Sequence, residues 1–300
     1  CEITVEGRLS NFDARKMEAC LEGGANRFSL GVQSFHTDIR RAMGRLGTRE
    51  EMVRGLEQLL AYGHAAVIVD LIYGFPGQTI ERWREDIAVA QSLKLDGADC
   101  YQLNVYKDSP LGQGIERGNI TPAADLPQQS AMFAAGVEAM TQAFYRRLSI
   151  SHWARTPRER NLYNLYAKGD AHCLAFGPGA GGNVQGVFYI NNGDYTAWMQ
   201  AVQSGVKPWL MAVRPRPRQA LAEGMEQGGL DLADLEKNFG VPVQDSCQPL
   251  LRQWHDVGLV NWEEGRLVLT LAGQFWQVNL SQLLQEYLEM QLENAEHETA

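Results

Sequence analysis

The sequence lacks any close grouping of cysteines. Its five cysteines are Cys1, Cys20, Cys100, Cys173 and Cys247, and neither a CxxC nor a CxxxCxxC motif occurs among them. An odd number of scattered thiols does not build a disulfide framework and is typical of a reducing compartment. The cysteines therefore argue against a disulfide-stapled secreted domain, and they predict no complete metal site within these residues.

Long hydrophobic runs and an excess of positive charge are also missing. No apolar run approaches the roughly 20 residues of a membrane-spanning helix, and the net charge is −9. That charge argues against a broad face for nucleic acid, because phosphate binding depends on clustered lysine and arginine. The 300 residues are 45% hydrophobic and 21% charged, which is typical of a globular protein with a large core and a smaller second domain. We expect such a protein in the cytoplasm.

The first residue is Cys1 rather than a methionine, and residues 2–6 (EITVE) already predict a strand. A domain rarely begins in the middle of a strand without a leading segment. We therefore expect that the chain is truncated at its N-terminus.

Strand and helix patterns alternate in the first half of the chain. The most apolar run, residues 65–73, is typical of a parallel strand that is buried on both faces. Further strands are predicted at 2–6, 27–32, 99–105 and 149–153. Helices are predicted at 12–22, with Asn11 as the candidate N-cap, and at 38–43, 50–62 and 80–93. The proline- and glycine-rich stretch at 107–127 predicts a long loop. Alternation with short connections predicts parallel strands joined by right-handed crossovers, so an α/β fold with a full or partial (β/α) barrel is expected.

The second half of the chain has a different pattern. Residues 154–213 are rich in glycine, asparagine and aromatic residues and are predicted to be irregular, completing the mouth of a barrel over 1–153. The run RPRP at 214–217 is typical of a linker. Three helices and a hairpin with a turn at 263–265 follow, which is a winged-helix pattern over 214–300. DNA binding is not expected there, because residues 219–300 contain many acids and few bases.

Polar side chains lie at or near the ends of four successive predicted strands. Glu6 ends the first, Gln33 follows the second, Asp70 lies in the third, and Gln102 and Asn104 lie in the fourth. Barrel enzymes place their chemistry at the C-terminal ends of the strands, so we expect these groups at one rim. For any one of these residues alone, a structural polar group that caps a loop is the favoured explanation; for the set, a shared ligand site and separate caps both stay open.

Two of these features point to a ligand with amino, hydroxyl and carboxylate groups. Asp70 lies inside an otherwise apolar strand, where burying a carboxylate without a partner costs several kcal/mol. Arg45 follows soon after Gln33, and an arginine can bind a carboxylate with two parallel hydrogen bonds.

Four runs of sequence carry a resemblance to a known family. They are EITVE at 2–6, NRFSLGVQSF at 26–35, DLIYGFPGQT at 70–79 and YQL at 101–103. These runs resemble, in order over residues 2–190, the HemN/HemW branch of the radical S-adenosylmethionine (SAM) family, and the C-terminal part resembles the HemN-type domain. The resemblance implies a partial (β/α) barrel of radical SAM type, followed by a small winged-helix-like C-terminal domain.

The resemblance also implies cofactors and the residues that bind them. In this family a [4Fe-4S] cluster on three cysteines donates an electron to SAM. Because CxxxCxxC is absent, we expect the cluster ligands outside these residues and no activity from the 300 residues alone. The residues that the resemblance assigns to SAM are Glu6, Gln33, Arg45, Asp70, Asn104 and Gly181. Asn104 differs in type from the family residue, and Gly181 lies in a glycine-rich loop that is equally typical of a tight turn.

One region indicates the type within the branch. The runs SHWARTP at 151–157 and RNLYNLY at 160–166 resemble the heme-utilisation (HutW/ChuW) type. This implies an anaerobic heme-degrading methyltransferase that opens the macrocycle and releases iron, with flavodoxin or ferredoxin as electron donor. The alternatives are a heme chaperone on the same scaffold and an oxygen-independent coproporphyrinogen dehydrogenase.

The same region offers candidate contacts to a tetrapyrrole. Arg155, Arg158 and Arg160 are candidates to bind its propionates, and His152 is a candidate to bind iron or move a proton. The alternative for the arginines is a solvated basic loop. The alternative for a histidine beside a tryptophan is packing or hydrogen bonding.

Overall fold

A computed structural model describes residues 1–168, 171–185, 187–213, 218–239, 242–263 and 265–298. It divides the chain into two compact units, Cys1–Arg160 and Asn161–Ala300. The expected linker at 214–217 and the middle residue of the expected turn at 263–265 lie outside the described residues. The predicted division at 153 and 213 stays a prediction.

The first unit is built on a six-stranded sheet. Its strands are β1 (Thr4–Gly7), β2 (Arg27–Gln33), β3 (Ala66–Tyr73), β4 (Gly97–Gln102), β5 (Arg146–Arg147) and β6 (His152–Ala154). The spatial order is β1-β2-β3-β4-β6-β5, and β1 to β4 run parallel. The helices of this unit are α1 (Ala14–Glu22), α2 (Thr37–Ala42), α3 (Arg49–Ala61), α4 (Ile80–Ser92), α5 (Pro110–Glu116) and α6 (Leu126–Gln142). The parallel strands and crossover helices are those of the expected partial barrel.

Side chains explain where these elements begin and where the core lies. Thr48 and Asp125 form capping boxes at the starts of α3 and α6. Helix α1 is capped by Asp13 instead of the expected Asn11, because Leu9–Asn11 forms a 3-10 turn. The side chains of β2 and β3 are almost wholly buried, as expected for central parallel strands.

Two expectations for the first unit are wrong. Strand β6 pairs antiparallel with β4, although a parallel strand was expected. The crossover through α6 returns the chain as β5 in the direction of β4, and the short connection after β5 can form only an antiparallel hairpin, so β6 runs against both neighbours. The expected long loop at 107–127 contains α5, which is capped by Ser109 and has proline in its first turn.

The second unit contains two three-stranded antiparallel sheets. Their orders are β7-β8-β9 and β10-β12-β11. The strands are β7 (Gly181–Val184), β8 (Val187–Asn191), β9 (Trp209–Val213), β10 (Gly229–Asp231), β11 (Val260–Glu263) and β12 (Arg266–Leu269). The first of these sheets lies in the stretch that was expected to be irregular.

Helices complete the second unit. They are α7 (Leu162–Lys168), α8 (Tyr195–Gln203), α9 (Arg218–Glu226), α10 (Leu232–Phe239), α11 (Val243–Asp256), α12 (Leu271–Phe275) and α13 (Gln277–Glu298). Helices α9 to α11 followed by the β11–β12 hairpin have the order of the expected winged helix. Within the described part of the chain, no helix has both the length and the apolar character needed to cross a membrane.

Candidate functional site

One face of the parallel sheet carries a row of polar side chains. Glu6 lies in register with Ser29, and Asp70 lies between Gly31 and Asp99. Residues in register on neighbouring strands point to the same face, so the three carboxylates share that face. The Ser29 hydroxyl donates to Asp70 Oδ1 across 3.4 Å. The strands therefore gather negative charge on one face of the sheet.

Asp70, in the middle of this row, has a raised pKa. Burial raises its pKa to about 6, and the charges of Asp99 and Glu6 add to that rise, while the hydrogen bond from Ser29 opposes it. The charge of Asp70 is therefore sensitive to its neighbours near neutral pH. A cationic or hydroxyl-bearing ligand would favour the ionised form.

Gln33 ends β2 in a conformation that is unusual for a side chain. Its φ is 70°, and the pairing of β2 with β3 shifts by one residue at this point. The side chain is 9% exposed, and its Oε1 has no hydrogen-bond partner among the described residues. A buried acceptor without a donor, on a strained backbone, is typical of a ligand contact.

The Gln33 side chain lies close to Gly31 and to a cation, Arg45. A Cβ on Gly31 would lie 2.8 Å from Gln33 Nε2 and 3.8 Å from Arg45 Nη1. Glycine at position 31 therefore lets the Gln33 amide lie against the backbone of β2, beside the Arg45 guanidinium. Burial lowers the pKa of Arg45, helped by Arg8 and opposed by Asp70. A carboxylate ligand would offset this desolvation of the guanidinium.

Two buried charged residues hold the loops around Gln33. Asp86 of α4 accepts from Ser34 Oγ at 2.8 Å, from the Phe35 N–H at 2.6 Å and from Gln78 Nε2 at 3.3 Å. These bonds tie the loop after β2 to the loop after β3. Arg40 donates to four backbone carbonyls, two on each side of α2. The loops after β2 and β3 are therefore held in place without a ligand.

The structure brings four of the six predicted SAM residues together. The charges of Glu6 and Arg45 both act on Asp70, and Gly31 lies beside Gln33 and Arg45. Asn104 is exposed and lies two residues beyond the end of β4.

Gly181 lies in the second unit, at the start of β7. A Cβ there would meet only ordinary contacts, the nearest 3.7 Å away on Phe188, so glycine is not required by the local packing. The SAM contacts predicted for Asn104 and Gly181 stay predictions.

His152 is enclosed by carboxylates. It is 1% exposed, with Nδ1 2.6 Å from Asp99 Oδ1 and Nε2 3.0 Å from Glu159 Oε1. Burial alone would lower the pKa of His152, but the hydrogen bonds to both carboxylates outweigh it and raise the pKa to about 9. A ring that is protonated on both nitrogens has no lone pair for iron. The structure therefore favours the hydrogen-bonding alternative for this residue.

The three candidate arginines lie at the other edge of the sheet. Arg155 donates to the carbonyls of Lys94 and Leu95, just before β4, and Arg158 donates to the carbonyl of Gly63, before β3. The cause is the antiparallel β6, which returns the chain to the N-terminal edge of the parallel strands. A cleft of about 220 Å³ there is lined in part by Arg158 and Arg160. Their contact with propionates stays a prediction, and they do not share the rim of Gln33.

Sequence reasoning missed several members of the site. Asp86 gives one weak signal, since it lies beside Trp83 and Ile87 in a helix whose inward face is otherwise apolar. Asp99 and Glu159 give none, because their partners lie far away in the sequence. Among the described residues, no group of three or more His, Cys, Asp or Glu side chains is arranged to hold a metal ion. The described residues therefore provide no ligand set for an iron–sulfur cluster.

Comparison with known proteins identifies the family. Residues 1–90 match the model of the Radical SAM superfamily, and residues 216–276 match the HemN C-terminal domain. The chain therefore carries a radical SAM domain and a HemN C-terminal domain. Its closely packed parallel strands and its C-terminal domain confirm the fold that the motifs predicted.

Three radical SAM relatives show how far the similarity extends. The chain is 41% identical over 290 residues to anaerobilin synthase of Escherichia coli O157:H7, covering 97% of this chain and 65% of that protein. It is 23% identical over 279 residues to the heme chaperone HemW of Bacillus subtilis, covering 91% and 73%. The solved coproporphyrinogen III oxidase (HemN) of Escherichia coli superposes with a TM-score of 0.77 at 20% identity, over 96% of this chain and 70% of that one. The chain thus spans about two thirds of the length of these radical SAM relatives.

Proposed function

We propose that this chain is the SAM-binding and tetrapyrrole-processing part of a radical SAM enzyme that degrades heme by methylating and opening the macrocycle. One observation carries the SAM assignment: the buried Oε1 of Gln33 has no hydrogen-bond donor among the described residues, and the Arg45 guanidinium and the Asp70 carboxylate lie in the same neighbourhood. The tetrapyrrole is supported by the 41% identity to a protein named anaerobilin synthase. A bilin is a linear tetrapyrrole, so that name denotes a product with an opened ring.

The donors and acceptors at the rim match the groups of SAM one by one. Arg45 offers a guanidinium for the carboxylate, and Asp70 offers a carboxylate for the ammonium or the ribose hydroxyls. The Oε1 of Gln33, which has no donor among the described residues, would accept from an N–H or O–H of the ligand. When bound, SAM supplies a sulfonium carbon for radical or methyl-transfer chemistry, with an electron from the [4Fe-4S] cluster. The chain's own part is to orient SAM and replace its hydration shell.

Replacing Asp70 tests the SAM site directly. We expect Asp70→Asn to weaken SAM binding by about tenfold or more, because a hydrogen bond to a charged group contributes about 1.5–3 kcal/mol. Isothermal titration calorimetry measures the Kd. Asp108→Asn is the matched control, since Asp108 is an exposed acid of the same unit. Equal affinity in both variants would contradict the site.

Anaerobic turnover tests the substrate. The full protein with its cluster is mixed with heme, SAM and a reductant, with flavodoxin or ferredoxin as the proposed physiological donor. We expect loss of the heme Soret band and a methylated linear tetrapyrrole by mass spectrometry. Stable binding of intact heme would instead favour a chaperone like the HemW relatives, and decarboxylation of coproporphyrinogen would favour the activity of the HemN relatives.

A further inference from the structure

A line of four buried charged side chains lies directly behind Asp70. Glu159 accepts from Arg27 Nε at 3.0 Å and from Arg27 Nη2 at 3.2 Å, and from His152 Nε2 at 3.0 Å. His152 Nδ1 then lies 2.6 Å from Asp99 Oδ1. None of the four is more than 5% exposed. We call Arg27, Glu159, His152 and Asp99 the charged relay.

The charged relay is neutral as a whole when His152 is protonated. Two cations alternate with two carboxylates, so each carboxylate has a cation beside it. Folding alone does not require such a group, because well-packed apolar side chains in its place are often equally stable or more stable. Stability alone therefore does not explain why these four residues are charged.

The last member of the relay is the strand neighbour of Asp70. Asp99 lies in register with Asp70 on one side and with His152 on the other. The charge of Asp99 favours the protonated form of Asp70 and the charge of His152 opposes that effect, so the pKa of Asp70 depends on both. The other titratable groups that act on Asp70 are Glu6 on β1 and Arg45 after α2. Without the imidazolium, two neighbouring carboxylates would compete for one proton.

We propose that His152 is a positioning residue for SAM, which holds Asp99 by a hydrogen bond and supplies the positive charge that keeps Asp70 ionised at the rim. The proposal rests on the proposed function in one respect, namely that Asp70 binds SAM. It gives a role to His152, for which the structure favours hydrogen bonding over the binding of iron. His152 acts through Asp99 and Asp70 and does not touch the ligand.

The test compares the pH dependence of SAM affinity among four proteins: wild type, His152→Asn, His152→Asn combined with Asp99→Asn, and Asp70→Asn. Asparagine can still donate to Asp99 from the position of Nδ1 but carries no charge. We expect wild-type affinity to rise with pH through a midpoint near the Asp70 pKa of about 6. In His152→Asn the midpoint should move up; a rise of about one pH unit weakens binding about twofold at pH 7 and about tenfold well below pH 6.

The double variant distinguishes charge from packing. Asp99→Asn removes the carboxylate that competes with Asp70, so the midpoint should return to the wild-type value or below it. If His152→Asn weakens binding equally at every pH, or leaves the midpoint unchanged, the positioning role is wrong. If Asp70→Asn binds SAM as wild type does, the proposed SAM site is wrong instead.

A measurement without ligand covers the case in which a variant does not fold. Nitrogen-15 NMR of histidine-labelled wild-type protein reports the protonation of each ring. We expect both nitrogens of His152 to carry protons at a pH well above the ordinary histidine value of 6.5, up to about 9. A neutral His152 ring near pH 7 would overturn the proposal.

Discussion

Gln33 occupies a backbone conformation that glycine adopts more readily. Gln33→Gly removes the strain of a positive φ, which costs about 1–2 kcal/mol, although part of that gain is lost to the greater freedom of the unfolded chain. We expect the free energy of unfolding to stay equal or to rise by up to about 1 kcal/mol. SAM affinity should fall by about tenfold, because the amide that the ligand would use is gone.

Lys94 provides the control for this change. It also has a positive φ, of 55°, but it is exposed beyond the end of α4. Lys94→Gly should relieve the same strain and leave SAM affinity unchanged. Urea unfolding and calorimetry measure both effects, and a Gln33→Gly variant that binds SAM normally would show that the strain has no functional role.

His152 should make the stability of the protein depend on pH in the alkaline range. Its pKa rises on folding from 6.5 to about 9. The stabilisation is therefore complete below about pH 6.5 and is lost as pH rises through about 9, roughly 3 kcal/mol in all at 1.36 kcal/mol per unit. Urea midpoints of wild type should fall over this interval, and those of His152→Asn should not. Replacing the exposed His64 by asparagine is the control and should leave the wild-type trend intact.

Sequence reasoning located the rim residues of the site but not the side chains behind them. Glu6, Gln33 and Asp70 were found because each stands where an apolar strand pattern meets an acid or amide, and the family motifs gave them roles. Asp99 looked like an ordinary strand residue, since its function depends on His152, 53 positions further along the chain. Such long-range pairs leave no mark on local periodicity.

At the scale of elements, Gly97 is fixed by the antiparallel strand beside it. A Cβ at this position would lie 2.6 Å from the Trp153 carbonyl oxygen and 3.1 Å from Glu159 Cγ. Because backbone cannot move aside easily, Gly97→Ala should destabilise the protein by about 1–3 kcal/mol. Gly193→Ala, where nothing lies within 4 Å, should change the urea midpoint little. A tolerated Gly97→Ala would contradict the pairing of β4 with β6.

The helices and parallel strands could be predicted from local patterns, but the direction of β6 could not. Apolar stripes, caps and buried runs are local, and they placed β1 to β4 and α1 to α4 within about three residues of their observed ends. The direction of a short strand is set by its connection and partner instead. The β7–β9 sheet was missed because β7 (GGNV) is glycine-rich and the short β8 (VFYIN) and β9 (WLMAV) show no clear alternation of apolar and polar residues.

At the scale of the whole molecule, the charge distribution separates this winged-helix pattern from DNA-binding ones. Residues 219–300 contain fourteen acidic and three basic side chains. Phosphate contacts supply most of the affinity of non-specific DNA binding, and this stretch offers few cations for them. We expect no change in the fluorescence anisotropy of a labelled DNA duplex at physiological salt. Saturable binding of the duplex would contradict this expectation and support a role in binding nucleic acid.

The charged relay also constrains how this protein can change over evolutionary time. Loss of any one member leaves a buried charge without its partner. This costs about 3–5 kcal/mol, which is comparable to the whole free energy of unfolding of many domains. Stepwise drift through single substitutions is therefore blocked, while simultaneous replacement by apolar residues is not. Lineages should keep all four residues or have exchanged them as a set, and a lineage that exchanged them should also carry a different residue in place of Asp70.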